Sequence, residues 1–216
     1  MDLSKKTGVI FDATSGIGLK LTLDIAKLGA NLIIQSNNKE KLKKLDDVVR
    51  KIGSKPSLLH CDINNFELFD NYSEVIFQKF NQIDFFLYPV GKINSLKPLT
   101  DLSLDEWNEI IKVNLTTPWY LLKRLENLIK RSKRPKVVFF YNSGVANGMA
   151  YYNAYSVAKA GLYSMANLYR NEKKKLGFDV KILELDKYEF KELTKILPQK
   201  KQKQSLKIHQ ILNKIF

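Results

Sequence analysis

Short apolar segments alternate along the chain with longer segments in which apolar residues recur at helical spacing. The short segments are apolar throughout, as strands buried on both faces of a sheet should be. We predict strands at 8–13, 31–36, 57–61, 84–90, 136–142 and 179–185. We predict helices at 17–28, 39–52, 64–80, 103–131 and 155–176. This alternation predicts an α/β fold with a doubly wound parallel sheet, in the order 3-2-1-4-5-6, and helices on both faces.

The last thirty residues depart from this alternation. Residues 187–216 show no strand pattern and predict a basic helical tail, made of two short helices broken at Pro198. The tail could pack its apolar side chains back on the sheet, which we favour, or it could form a mobile lid over a substrate site. The apolar side chains are Leu193, Ile196, Leu197, Ile208, Ile211 and Leu212.

Length and composition fit one domain over residues 1–216. Hydrophobic residues make up 44% of the chain, and no apolar run reaches the roughly 18 residues that a membrane span needs. The N-terminal segment shows no signal-peptide pattern, and the single cysteine, Cys61, excludes an internal disulfide framework. We therefore expect a soluble, cytoplasmic protein without a membrane partner.

The formal net charge is +14, and such a basic balance can indicate a polyanionic ligand. However, only five of the 36 basic residues are arginines, which fits a lysine-biased proteome better than a surface that reads nucleic acid. Paired zinc ligands and aromatic–glycine strand signatures are missing from the sequence. The sequence therefore argues against a nucleic-acid partner and against a metal site.

The segment TSGIG follows the first predicted strand and opens the first predicted helix. Glycine at such a turn lets a pyrophosphate approach the backbone, and the helix N-terminus offers N–H groups and the positive end of its dipole. A tight packing turn would also explain these glycines. The candidate cofactor-binding residues of this turn are Thr14, Ser15, Gly16, Ile17 and Gly18.

Asp12 lies in the same turn, where a phosphate-binding loop would normally carry its first glycine. Aspartate tolerates a left-handed backbone better than most residues, so we expect the turn to form. Its carboxylate could bond to N–H groups within the turn, accept from a ribose hydroxyl of a cofactor, or block the site. We favour the first of these, because aspartate readily bonds nearby backbone at turns.

Asp62 and Ile63 follow the third predicted strand, in the segment CDI. A carboxylate at this place can accept a hydrogen bond from an adenine amino group, with Ile63 beside the ring. The alternative is that Asp62 caps a helix that begins near Asn64. Both roles can hold together.

Tyr155 and Lys159 form the most specific pattern, in the segment AYSVAK. Residues four apart share one face of a helix. A lysine ammonium beside a phenol favours the phenolate and lowers the pKa of the tyrosine from about 10. Tyr155 could then donate or accept a proton near neutral pH. The preceding strand ends in YNSG, which places Ser143 near the same edge of the sheet.

Taken in order, these motifs resemble those of the short-chain dehydrogenase/reductase family. The resemblance spans about five-sixths of the chain, and the motifs follow the family's order at near its spacing. The matching segments are SGIG (15–18), CDI (61–63), VNLTTP (113–118), the serine at 143 and YSVAK (155–159). The resemblance implies a Rossmann-like fold and hydride transfer between NAD(H) or NADP(H) and an alcohol or carbonyl.

The resemblance also assigns roles to four residues. Tyr155 would be the general acid/base, and Lys159 would lower its pKa and hold the nicotinamide ribose. Ser143 would donate to the substrate carbonyl, and Asn114 would seat a water that relays protons to Lys159. A homodimer or homotetramer could form through helices 103–131 and 155–176, as in the family, although their apolar faces could equally be core.

The nucleotide-binding segments depart from the family pattern in two places. Phe11-Asp12 stands in place of Thr-Gly, and YPVG (88–91) keeps only Gly91 of the family's Asn-Asn-Ala-Gly. Gly91 is therefore the candidate cofactor contact that remains after the fourth strand.

The substrate side departs as well. Ser143 lies one residue closer to Tyr155 than the commonest spacing, which would select Asn142; we prefer Ser143 because a hydroxyl fits the role. LDKY (185–188) stands in place of the family's Pro-Gly, and the family's seventh strand has no evident counterpart.

The end of the second strand bears on the choice of cofactor. NAD-binding proteins commonly carry an acid there, which binds the ribose hydroxyls. Here Ser36 is followed by Asn37, Asn38 and Lys39, so a 2′-phosphate could meet hydroxyl, amide and ammonium groups. The sequence thus favours NADP over NAD as the cofactor.

We therefore predict an oxidoreductase that acts on a small-molecule carbonyl or alcohol. The alternative is a non-catalytic relative that keeps the fold as a binding or scaffold module, which the altered turn would favour. The joint presence of the four catalytic candidates argues against that alternative.

Overall fold

Six parallel strands form one sheet in the computed structural model, which describes residues 1–185 and 208–216. The strand order is β3-β2-β1-β4-β5-β6, so the predicted fold class and order are confirmed. The strands are β1 (Thr7–Ile10), β2 (Asn31–Ser36), β3 (Ser57–His60), β4 (Phe85–Tyr88), β5 (Lys136–Tyr141) and β6 (Asp179–Glu184). Neighbouring strands run parallel, and their carboxyl ends therefore meet at one edge of the sheet.

Helices cover both faces of this sheet. They are α1 (Gly16–Lys27), α2 (Lys39–Lys51), α3 (Phe66–Lys79), α4 (Leu104–Ile111), α5 (Thr117–Ile129), α6 (Ser143–Ala146), α7 (Asn153–Lys173) and α8 (Ile208–Ile215). Successive strand side chains point to opposite faces, which divides the core into two clusters. Val9 and Phe86 pack with α3, α5 and α7, whereas Ile10 and Phe85 pack with α1, α2 and α8.

The long helix predicted at 103–131 is divided in the structure. A π-helical turn, Lys112–Thr116, joins α4 to α5. Pro118 lies in the first turn of α5 and has no N–H to donate, so a regular hydrogen-bond ladder cannot pass through it. Asn114, one of the predicted catalytic residues, lies inside this π turn.

Two other local predictions need correction. The predicted cap of the third helix at Asp62 is wrong: α3 begins at Phe66, and the side chain of Asn65 accepts from the N–H of Leu68 at 3.0 Å. The short helix α6 was not predicted; Asn142 caps it by accepting from the N–H of Val145 at 2.8 Å.

The helix α8 belongs to the predicted tail. Ile211, Leu212 and Ile215 are buried in the cluster that contains α1, and the ring of Phe216 meets that of Phe85 edge-on at 5.2 Å. The predictions for residues 187–207, including the lid, lie outside the described residues. Within the described part of the chain, no helix is long and apolar enough to cross a membrane.

Candidate active site

Two cavities open at the edge where the strands end. The first, of about 300 Å³, has walls from the turn before α1, the segment after β4, and α7. The second, of about 510 Å³, has walls from the ends of β2 and β3 and from α4. Four residues line both cavities, so the two are adjoining parts of one groove: Asp12, Val90, Gly91 and Lys92. Ligands of doubly wound sheets bind at this edge.

The turn before α1 depends on its glycines. Gly16 begins the helix with φ of 45°, a left-handed conformation that suits glycine. A Cβ at Gly18 would lie 2.1 Å from the carbonyl oxygen of Asp12, so α1 can approach the turn this closely only without a side chain there. Ser15, Gly16 and Ile17 line the first cavity. The N-terminus of α1 therefore faces the groove.

Asp12 adopts the expected left-handed conformation, with φ of 49°. Its carboxylate accepts from the hydroxyl of Ser15 at 2.5 Å, so it bonds within the turn. Its N–H donates to Oε1 of Gln35 at 3.0 Å, and Nε2 of Gln35 donates to the carbonyl of Cys61 at 2.7 Å. Gln35 thus ties the ends of β2 and β3 to the turn.

Tyr155 and Lys159 both line the first cavity from α7. Lys159 is buried, and its ammonium donates to the carbonyl of Val90 at 3.2 Å. The same ammonium lies 5.3 Å from the centre of the Tyr155 ring. Burial lowers the pKa of Lys159 to about 8. The helical spacing has thus placed a phenol and a weakly held proton in one cavity.

Gly91 is packed against this pair. A Cβ at Gly91 would lie 3.2 Å from the hydroxyl of Tyr155 and 3.5 Å from Nζ of Lys159. Any larger residue would therefore fill the space in front of both groups. This close packing explains why residue 91 is a glycine.

Asn114 is fully buried and holds the segment after β4 in place. Its Oδ1 accepts from the N–H of Lys92 at 3.1 Å, and its Nδ2 donates to the carbonyls of Lys92 and Ile110 at 2.8 and 2.9 Å. The side chain fixes the backbone beside Gly91 by this pairing. The water-holding role of Asn114 stays a prediction.

Ser143 begins α6, and its hydroxyl donates to the carboxylate of Glu184 at the end of β6. Ser143 is not among the described residues that line the two cavities. In this structure the hydroxyl of Ser143 is directed to Glu184. Its contact with a substrate carbonyl stays a prediction. The choice of Ser143 over Asn142 is compatible with the capping role of Asn142.

Asn37, Asp62 and Ile63 line the second cavity, and their contact with a cofactor stays a prediction. The carboxylate of Asp62 accepts from the backbone N–H and the side-chain amide of Asn64, both at 2.9 Å. Asp62 therefore shapes the loop after β3 without capping α3.

Ser36 lies deeper than its predicted role requires. Its side chain is buried, its hydroxyl pairs with that of Thr14 at 2.6 Å, and it accepts from the N–H of Asn38 at 3.1 Å. Neither Ser36 nor Thr14 is among the described residues lining the two cavities. Their direct contact with a cofactor stays a prediction, and the exposed neighbours Asn37 and Lys39 are better placed for a phosphate.

The sequence did not single out Gln35 and Lys92, which line this groove, or Glu184, the partner of Ser143. Gln35 is a polar residue inside an apolar strand, which was a readable signal. Glu184 and Lys92 carried no local signal, since their importance comes from contacts with Ser143 and from the junction of the cavities.

Comparison with known proteins places this groove in context. A family model described as enoyl-(acyl carrier protein) reductase matches residues 12–177. The fatty acyl-CoA reductase of Acinetobacter baylyi is 25% identical over 161 residues, covering 73% of this chain and 54% of that protein. The oxidoreductase YciK of Escherichia coli K12, itself uncharacterized, is 23% identical over 176 residues, covering 79% of this chain and 69% of that protein. The chain thus spans about half the length of the Acinetobacter relative.

Solved structures share the fold. A short-chain dehydrogenase of Shigella flexneri 2a, complexed with NADP, superposes with a TM-score of 0.85 at 20% identity, covering 92% of this chain and 84% of that one. One from Escherichia coli CFT073, complexed with NADPH, gives the same four values.

The order of the sheet, with a groove at the carboxyl ends of its strands, defines a Rossmann-like fold. The chain belongs to the short-chain dehydrogenase/reductase family, as its motifs predicted. The predicted family is thereby confirmed, and the solved structures bear out the predicted fold.

Proposed function

We propose that this protein interconverts a small-molecule carbonyl compound and its alcohol, with NADP(H) as the preferred cofactor. One observation carries the proposal. Tyr155 and the buried Lys159 line the same cavity as the glycine turn of α1, so an acid/base pair and a dinucleotide-binding element share one groove.

The groove fits a dinucleotide at several points. The space in front of Gly91 would be filled by a Cβ, and the helix N-terminus at Gly16 suits a pyrophosphate. Asp62 and Ile63 would hold the adenosine end, and Lys159 would hold the nicotinamide ribose. When bound, NADP(H) supplies or accepts the hydride.

Tyr155 would exchange the proton with the substrate oxygen. The pKa of about 8 keeps Lys159 mostly protonated at pH 7, by roughly ten to one. Its positive charge near the Tyr155 ring favours the phenolate and so eases proton release. Asn114 would act through the backbone of Lys92, by keeping the segment around Gly91 in place.

Ser143 and Glu184 bear on substrate binding. A hydroxyl that donates to a carboxylate still has lone pairs to accept with. Ser143 could therefore accept from a substrate alcohol as it stands, and it would have to turn away from Glu184 to donate to a carbonyl. The apolar side chains of the first cavity favour an apolar substrate: Ile17, Ile93, Phe140 and Leu185.

The preference for NADP rests on the end of β2. Asn37 and Lys39 are exposed there, and none of the three residues after Ser36 carries a carboxylate that would repel a 2′-phosphate. The complexes of the two solved relatives with NADP and NADPH support the same choice.

A homodimer is the proposed assembly. Trp119 on α5 and Val157 and Leu168 on α7 are 47%, 45% and 60% exposed. Val157 and Leu168 are eleven residues apart and therefore share one helix face. The chain has a mass of 25.0 kDa, and light scattering should give twice that mass. A monomer at micromolar concentration would contradict this assembly.

The rival function is a non-catalytic binding module. The carboxylate of Asp12 in the glycine turn and the engagement of Ser143 by Glu184 favour it. An assay separates the two functions: NADPH absorbance is followed with a panel of apolar aldehydes and ketones, alongside direct binding of NADPH. Turnover of a panel member supports the enzyme, whereas binding without turnover across the panel supports the rival.

A further inference from the structure

Two charged residues lie where the two cavities meet. Asp12 and Lys92 are the charged members of the set of described residues that lines both cavities. A dinucleotide that extends from Lys159 in the first cavity to Asp62 in the second must pass this junction. Its pyrophosphate joins the two halves of the molecule and would therefore meet Asp12, a like charge.

The backbone of Lys92 is held firmly. Its N–H and its carbonyl are both bonded by the buried amide of Asn114, at 3.1 and 2.8 Å. Gly91 precedes it and packs on Tyr155. The root of the Lys92 side chain is therefore fixed at the wall of the groove.

The ammonium of Lys92, by contrast, is held within residues 1–185 and 208–216 by a surface ion pair. It lies 2.5 Å from Oε1 of Glu109 on α4, and both side chains are 47% exposed. Asn94 donates to the other carboxylate oxygen of Glu109 at 2.8 Å. Exposed ion pairs contribute little, because water screens them and two long side chains lose freedom. Lys92 can exchange Glu109 for a stronger anion at small cost.

We propose that Lys92 is a phosphate-binding residue of this groove. Glu109 holds its ammonium in the ligand-free protein, and the ammonium turns to the pyrophosphate of bound NADP(H), where it offsets the charge of Asp12. The inference rests on the proposed cofactor binding, and it explains how a turn that carries an aspartate can accept an anion. Lysine suits the role, because its ammonium is a point charge with three rotatable donors on a flexible stem.

A matched pair of variants tests this role. Lys97 forms a similar ion pair with Glu106 of the same helix, at 2.7 Å, but is not among the described residues lining either cavity. Lys92→Gln should weaken NADPH binding about tenfold or more, the range for a lost charge-assisted bond. Lys97→Gln should leave it within twofold. Titration followed by nicotinamide fluorescence measures both, and circular dichroism verifies that both fold.

Glu109→Gln tests the exchange itself. Release of Lys92 should tighten NADPH binding, about two- to fivefold, the scale of an exposed ion pair. If the effect runs through Lys92, it should vanish in the double variant Lys92→Gln/Glu109→Gln. An undiminished gain in the double variant would mean that Glu109 acts on the cofactor directly and would overturn the exchange.

The outcomes separate this inference from the proposed function. No NADPH binding by the wild-type protein would remove both. Binding by the wild-type protein, with equal affinity in Lys92→Gln, would overturn the inference and leave the proposed function standing.

Discussion

Burial lowers the pKa of Lys159 to about 8, so the folded protein holds this proton less firmly than the unfolded chain does. In the unfolded chain the pKa of a lysine is near 10.5. The unfolded state therefore binds more protons between about pH 8 and 10.5, and stability should rise with pH through that window. Below pH 8 Lys159 is charged in both states, and the full cost of burying its charge lowers the stability of the fold. A residue with a purely structural role would not need a buried charge.

Lys159→Met should accordingly stabilise the protein at pH 7. The gain should be roughly 1–3 kcal/mol, because the cost of the charge disappears while the loss of the bond to Val90 offsets part of it. The gain should shrink towards pH 10.5. Urea unfolding at pH 7 and pH 10 measures both values; a variant less stable than the wild type at pH 7 would show that the charge stabilises the fold.

Tyr155→Phe should remove reductase activity and leave NADPH binding nearly unchanged. A positioned general acid typically contributes about 10²–10⁴ in rate, and the phenyl ring preserves the packing beside Lys159. Steady-state kinetics and a binding titration on the same preparation check both parts. Wild-type turnover in the Phe variant would refute the assigned acid/base. Tyr169→Phe, a second buried tyrosine of α7 outside the cavity linings described, is the control.

At this scale, sequence spacing was enough to bring Tyr155 and Lys159 together, because four residues make about one helical turn. The partners of Ser143 and Ser36 could not be read in the same way. Glu184 reaches Ser143 from the neighbouring strand, and the hydroxyl of Ser36 is taken by Thr14. Such contacts are fixed by tertiary packing, which no local pattern encodes.

The junction of β1 and α1 is the element on which the proposed cofactor binding depends. Gly18→Ala should destabilise the protein by roughly 1–3 kcal/mol, because the new methyl would lie 2.1 Å from backbone that cannot move freely. It should also weaken NADPH binding by shifting the turn. Thermal unfolding measures the first effect, with the exposed Lys20→Ala on the same helix as control. An unchanged melting temperature would mean that α1 shifts freely.

Strands and helices could be predicted from the sequence where the spacing of apolar residues was regular. Breaks within a helix were harder to predict. The pattern over 103–131 stays apolar on one face, and Pro118 is tolerated in a first helical turn. The π turn that carries Asn114 was therefore hidden within a continuous period. The cap at Asn65 was missed because Asp62, another good capping residue, stands three positions earlier.

Asp84 links several parts of the molecule at the edge of the sheet opposite the groove. It accepts from the N–H of Thr7 at 2.9 Å, from the hydroxyl of Ser132 at 2.8 Å and from Gln82 at 3.0 Å, and it pairs with Lys6 at 3.1 Å. Burial alone would raise the pKa of Asp84, but these donors outweigh it and lower that pKa. The carboxylate therefore stabilises the fold above pH 3.8, the unfolded value, and this contribution is lost as the pH falls towards the folded pKa.

Asp84→Asn should cost roughly 1–3 kcal/mol at pH 7, since several donors lose a charged acceptor. The variant should also lose less stability than the wild type on acidification below pH 4. Urea unfolding at pH 7 and pH 3 checks both effects, with the exposed Asp47→Asn as control. Equal acid sensitivity of the variant and the wild type would show that Asp84 plays no part in acid unfolding.

The order of the whole sheet followed from alternation and crossover handedness, which leave few topologies for six strands. The place of the groove followed from that order. The shape of the groove did not, since it depends on how Asp12, Gln35 and Lys92 meet across three segments.

The central claim is that the glycine turn with Asp12 still forms a working dinucleotide site. Calorimetric titration of the wild-type protein and of Asp12→Gly, with NADPH and with NADH, tests it most directly. We predict that the wild-type protein binds NADPH more tightly than NADH, and that Asp12→Gly tightens NADPH further, because a carboxylate that bonds to Ser15 still repels phosphate. Looser NADPH binding in the Gly variant would make Asp12 a ligand, and no binding by either form would contradict the claim.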